Sequence, residues 1–148
     1  MHIYISIGEQ KLRLFEGDAL VAEYVVSSAA NGIGFEEGSY CTPTGRFEVS
    51  EKIGDGEALG TIFKSRKPMG VWDGTPSDDD MILSRILRLN GLDAQNANSM
   101  ERYIYVHGTN HEALLGEPAS HGCIRMANAD IVELFDRIEL RAPLLIGY

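Results

Sequence analysis

The sequence predicts a mainly β single domain spanning residues 1–148, with one short helix near its C-terminal end. Three observations carry this. Strict apolar alternation marks several short segments, helical spacing is clear at one place, and 148 residues suffice to bury one core.

Taken in order, "HIYISI" sets Ile3, Ile5 and Ile7 on one face of a half-buried strand. "KLRLF" and "LVAEYVVS", separated by "EGDA", read as a hairpin. "CTPTGRFEVS" places a Pro-Thr-Gly turn before a strand in which Phe47 and Val49 point the same way. Residues 51–98 read as loop-rich, because "EKIGDGEALG" and "DGTPSDDD" are crowded with Gly and Asp. Within that stretch "DDDMILSRILRLNGL" fits both periods poorly, leaving an acidic-capped helix and a strand open. Loops of such length in a compact domain are often binding loops or lids. "YIYVH" alternates, with Ile104 and Val106 on one side and Tyr103, Tyr105 and His107 on the other. "NADIVELFDRI" carries Ile131, Leu134, Phe135 and Ile138 at helical spacing, with Asn128 as its N-cap. "APLLIG" supplies a last strand.

Composition narrows the function. Thirteen basic residues face 22 acidic ones, a net charge of −9, so phosphate backbones and anionic lipid surfaces are repelled. The expectation is no nucleic-acid partner and no membrane partner. No apolar run approaches the roughly 18–20 residues of a membrane helix. "MHIYISIGEQ" has neither the basic start nor the apolar stretch of a signal peptide, so a cytoplasmic protein is expected. A periplasmic or wall location would require further N-terminal sequence. Two cysteines, Cys41 and Cys123, do not form a disulfide framework.

Chemistry concentrates in "YIYVHGTNHEALLGEPASHGCIRM", residues 103–126, which holds three of the four histidines and Cys123. A free thiol near pKa ~8.5 is only slightly ionised at neutral pH, so a nucleophilic Cys123 requires a base. His107 ends a strand that can hold an imidazole still, and the Gly108 carbonyl is a partner for its second nitrogen. Gly122 lets backbone approach a substrate carbonyl, which makes the amides of Gly122 and Cys123 an expected oxyanion hole. Arg125 offers a fixed cation for a carboxylate. Two other readings stay open from residue chemistry: Cys123 as a buried small hydrophobe, and a zinc site drawn from His107, His111, His121 and Cys123. No second Cys stands near Cys123, which disfavours a zinc knuckle.

The composite of His107, Gly116 and the Ser120-His121-Gly122-Cys123-Ile124-Arg125-Met126 block resembles the signature of the L,D-transpeptidase catalytic domain, the YkuD family. "VVSSA" and "TPTGRFEV" resemble the family's early strand and its Thr-Pro-x-Gly-x-Phe turn, so the resemblance covers the chain. It implies a twisted β-sandwich with a short helix after the catalytic Cys loop, and no cofactor or metal. It also implies attack by Cys123 at the L-centre of the third stem residue of a murein peptide, with release of D-alanine. His107 then serves as base and Gly108 orients it, while Ser120, His121 and Arg125 shape the pocket. Arg125 either contacts a substrate carboxylate or props the loop. The implied partners are murein tetrapeptides or peptidoglycan stems, with carbapenem-type β-lactams as inhibitors. The stretch "MILSRILRLNGLDAQNANSMERYIYVHG" resembles a small subgroup rather than the cross-linking enzymes. That favours L,D-carboxypeptidase action on tetrapeptide fragments during wall recycling. Alternatives are an L,D-transpeptidase making cross-links or exchanging D-amino acids, and a non-catalytic zinc or peptide-binding module. His2, His111 and Cys41 are expected to carry no chemistry.

Overall fold

The computed structural model describes residues 1–148. Its strands are β1 (His2–Ser6), β2 (Lys11–Glu16), β3 (Ala19–Ser27), β4 (Gly45–Ile53), β5 (Thr61–Lys64), β6 (Lys67–Val71), β7 (Ile82–Gly91), β8 (Tyr105–Gly108), β9 (Ile124–Met126) and β10 (Pro143–Gly147). A single helix, α1 (Asn128–Arg137), follows β9, and a 3-10 turn spans Glu112–Leu114. No helix is long and apolar enough to cross a membrane.

The expected N-terminal strands form because alternate apolar residues each gain a buried place. Ile3, Ile5, Leu12, Leu14, Phe47 and Val49 are all sealed from solvent. β2 and β3 form the expected antiparallel hairpin, and β1 joins β2 on its other edge. In the sheet the strands run β4-β10-β1-β2-β3-β9-β8-β7-β5-β6, and β4 also pairs with β7. That second pairing, from Phe47–Gly91 to Ile53–Ile86, closes the sheet on itself into a twisted, flattened sandwich. A core of 22 buried residues fills it, with Ile131, Leu134, Phe135 and Ile138 of the helical segment packed in as their spacing predicts.

The segment 51–98 differs from its loop-rich expectation. It holds the end of β4, the β5–β6 hairpin and the ten-residue β7, which is the most buried long strand in the chain. Two physical causes hid β7. Most of its residues are buried, so no polar alternation marks it. A bulge between Leu83 and Ile86 also breaks the period of two, with Ser84 forced to φ +73°. Ser84 is held there because its hydroxyl donates to Asn128 Oδ1 at 2.7 Å and accepts from the Gly60 amide at 3.0 Å.

Helix α1 starts one residue earlier than expected. Ala127 is the cap residue, and Asn128 is the first helical position. The cap comes from outside the helix: Glu112 accepts both the Asn128 amide at 3.0 Å and its Nδ2 at 2.7 Å. Asn128 is thereby freed to act as a buried polar hub, also donating to the Thr109 carbonyl at 2.8 Å.

Candidate active site

β8 and β9 run parallel, with His107 opposite Arg125 and Val106 opposite Ile124. Side chains of directly paired residues share a face, and residues two apart on a strand do so too. The register therefore sets Arg125, Tyr105 and His107 on one side of the sheet, and Cys123, just ahead of β9, packs against the cluster of Phe63, Ile86 and Tyr105. Val106, Ile124 and Met126 point the other way into the core.

His107 is buried at 1% exposure, and its Nδ1 lies 2.6 Å from the Gly108 carbonyl oxygen. A carbonyl only accepts, so Nδ1 carries the proton and Nε2 is left as the basic nitrogen. The Gly108 carbonyl is itself fixed, since Gly108 is wedged against Asn128 Oδ1 and the Leu83 carbonyl. The Cys123 sulfur accepts from the Tyr105 amide at 3.4 Å and lies 3.3 Å from the Tyr103 carbonyl, to which the thiol donates. Tyr103 and Tyr105 do not continue one strand as their alternation suggested: β8 begins at Tyr105, and Tyr103 turns at φ +56°.

The loop that carries the thiol is tied down residue by residue. Ser120 accepts the Gly122 amide at 3.2 Å and donates to the Cys123 carbonyl at 2.6 Å. Thr42 donates to the Gly122 carbonyl at 2.8 Å, and Ser28–Ala30 exchange backbone bonds with Ala119 and Ser120. Gly122 sits at φ +127°, a conformation that favours glycine. Of the two amides expected to form an oxyanion hole, that of Gly122 donates to Ser120 and that of Cys123 is without a partner in the protein.

Ser120 thus staples the loop that carries Cys123. Arg125 is buried at 2% exposure with Nη2 3.0 Å from Asp80 Oδ1, so in this state it does not face an open substrate site. His121 is exposed and contributes to the cleft beside Cys123, about 180 Å³, whose walls include Tyr40, Arg102 and Tyr103. Its Nδ1 lies 3.4 Å from Asp80 Oδ2. Both cysteines are free. Cys41 holds the neighbouring turn, its carbonyl accepting from Arg102 at 2.7 Å. No three His, Cys, Asp or Glu side chains converge as a metal-holding group, because the histidines of the zinc alternative are dispersed. His107 bonds its own strand end, while His111 bonds the Ser77 carbonyl at 2.7 Å. His111 therefore has a role that its isolation in the sequence concealed. Asp80, Asn110 and Asn128 also escaped the sequence reading, since each reaches the site through contacts distant along the chain.

Burial is the main influence on both the His107 imidazole and the Cys123 thiol. It drives the His107 imidazole below its ordinary 6.5, against the opposing bond to Gly108 and the charge of Asp80. It pushes the Cys123 thiol from 9.0 up to about 11, against the Tyr105 amide and the charges of Arg125 and Arg102. The signs fix a pH window. A depressed imidazole adds stability present above pH 6.5 and lost as pH falls through its folded value. A raised thiol adds stability present below pH 9.0 and lost as pH rises towards about 11. Urea midpoints are therefore expected to hold between these limits and fall on both sides. In Cys123→Ala the alkaline fall should move to higher pH; an unchanged alkaline limb would count against a desolvated thiol.

Known proteins share this arrangement of fold and sequence. The L,D-transpeptidase catalytic domain family, YkuD, matches residues 1–146. YqjB of Bacillus subtilis (strain 168), named provisionally as an L,D-transpeptidase, is 33% identical over 105 residues, covering 71% of this chain and 51% of its own. An L,D-transpeptidase from Mycobacterium smegmatis superposes with a TM-score of 0.65 at 15% identity, over 99% of this chain and 58% of that one. The L,D-transpeptidase LdtMt1 in complex with imipenem superposes with a TM-score of 0.60 at 17% identity, over 98% and 57%. The chain spans about half the length of these relatives. With the fold shared over nearly all its residues and the family pattern running from residue 1 to 146, the chain belongs to the L,D-transpeptidase catalytic domain (YkuD) family.

Proposed function

We propose that this domain is a cysteine-dependent murein-peptide enzyme, acting as an L,D-carboxypeptidase on tetrapeptide fragments in wall recycling, in the cytoplasm. The observation that carries the reading is His107, buried, with its tautomer set by the Gly108 carbonyl at 2.6 Å, two residues along β8 from Tyr105, whose amide donates to the Cys123 sulfur at 3.4 Å.

The chemistry follows from the two shifted groups. A thiol near 11 and a depressed imidazole are both neutral at pH 7, so the proton moves during attack rather than before it. The thiol turns from the Tyr103 carbonyl, His107 Nε2 takes its proton, and sulfur bonds to the carbonyl carbon at the L-centre of the third stem residue. The Cys123 amide receives the oxyanion. Collapse breaks the C–N bond, His107 returns the proton to the leaving amine, and D-alanine departs from a thioester. Water, deprotonated by His107, then releases the tripeptide and restores the thiol.

The thiol opens on a cleft of about 180 Å³, smaller than the roughly 300–1,000 Å³ of typical small-molecule sites, and in this reading water is the acyl acceptor there. A second cleft, lined by Ile62, Phe63 and Asp79–Ile82, does not include Cys123.

Mass spectrometry of the protein with a soluble murein tetrapeptide, with and without a D-amino acid, tests this. Tripeptide and free D-alanine are expected in both cases, and none with Cys123→Ala. Terminal exchange or peptide dimers would establish transfer instead. A carbapenem such as imipenem is expected to add its mass to Cys123; no adduct would remove the case for an activated thiol.

A further inference from the structure

Arg125 is nearly sealed from solvent, yet its guanidinium is poorly satisfied. Nη2 lies 3.0 Å from Asp80 Oδ1, Nε has no partner, and Asp80 is its one ion-pair contact. A guanidinium carries five donors, and its burial is tolerated when carboxylates or carbonyls take them up. The second oxygen of Asp80 meets His121, whose side chain is 64% exposed. One carboxylate thus spans a guanidinium and an imidazole beside the thiol loop.

Asp80 comes from residues 72–81, between β6 and β7, which belong to no strand. Side chains from the turn after β8 hold this strap. Asn110 accepts the Met81 amide at 3.1 Å and donates to the Asp79 carbonyl at 2.9 Å, while His111 bonds the Ser77 carbonyl. The Asp80 side chain is itself 25% exposed, so its release into water uncovers little.

We propose that Asp80 is a built-in stand-in for a substrate carboxylate. Arg125 and His121 form a carboxylate subsite that Asp80 occupies until a peptide with a free terminal carboxylate displaces it. This rests on the reading of Cys123 as the nucleophile of a carboxypeptidase and adds to it the basis of selection. Exchange of one carboxylate for another leaves the buried guanidinium paired throughout. A peptide ending in an amide offers no such exchange, so Asp80 sets a threshold that excludes it. A subsite free in about one molecule in ten binds about tenfold more weakly than an open one.

Calorimetry tests the subsite without turnover, using Cys123→Ala and Cys123→Ala/Asp80→Asn with a murein tetrapeptide whose terminal D-alanine is free or amidated. Asp80→Asn is expected to tighten binding of the free acid about tenfold and to leave the amide unchanged. Equal changes for both peptides, weaker binding of the free acid, or no binding of either would overturn the proposal. Hydrogen exchange in Cys123→Ala gives a second readout: amides of 72–81 should exchange faster with the free acid bound, and unaltered exchange would overturn displacement. Imipenem acylation of the wild type separates the two readings. An adduct together with a null calorimetric result sinks the subsite alone, whereas a missing adduct sinks the nucleophile.

Discussion

Gly108→Ala is expected to remove acylation of Cys123 and to lower stability by about 3 kcal/mol, the upper end of ordinary overpacking. A Cβ at this position would stand 2.5 Å from Asn128 Oδ1, 2.5 Å from the Leu83 carbonyl and 3.2 Å from Ile131 Cγ2. The first two are not soft. Asn128 is fixed by Ser84, Thr109 and Glu112, and Leu83 belongs to β7. Relief must come from β8 itself, which moves the carbonyl that orients His107. A thermal scan should show the midpoint lower by roughly 10 °C, and imipenem should leave the protein unmodified. Wild-type acylation in a destabilised Gly108→Ala protein would show that the carbonyl does not position the imidazole.

His107→Gln separates the base from the scaffold, because glutamine keeps polar atoms in the buried space. The rate of Cys123 acylation is expected to drop by about 10²–10⁴ at pH 7, the usual contribution of a general base. The pH profile carries more information than the rate. In the wild type, the rate levels off once the imidazole is neutral, and its lowered value keeps it neutral at pH 7. Without the base only pre-formed thiolate reacts, so the rate in His107→Gln should climb tenfold per pH unit towards about 11. A flat profile in the variant, or a loss under tenfold, would assign the base elsewhere.

What could be read from the sequence divides along physical lines. Strands buried on one face, such as β1 with Ile3, Ile5 and Ile7, announce themselves by alternation. The ten-residue β7 does not, because most of its residues are buried, none is exposed, and it carries the Ser84 bulge. β6, with every residue exposed, has no burial pattern to detect. At the site, His107, Gly108 and Cys123 stood out because their residue types fit one chemistry at one spacing. The bond from the Gly122 amide to the Ser120 hydroxyl is local and depends on loop conformation, which residue types do not reveal. Asp80 was invisible for the opposite reason: its meeting with Arg125 depends on a strap anchored 30 residues further along by Asn110 and His111.

The place of β10 in the sheet governs when this protein can finish folding. It lies between β1 and β4, with Ile3 against Leu144 and Phe47 against the same residue on the other side. The last strand in chain order is therefore the one that joins the first to the fourth. Pairings over such separations form slowly, and until β10 docks, β1 and β4 each keep an unsatisfied edge rich in Ile, Phe and Val. Closure between β1 and β4 therefore waits on β10, which joins edges far apart in the chain. In the closed molecule β6 ends the strand order, and there Lys67 and Pro68 sit where another chain would have to add.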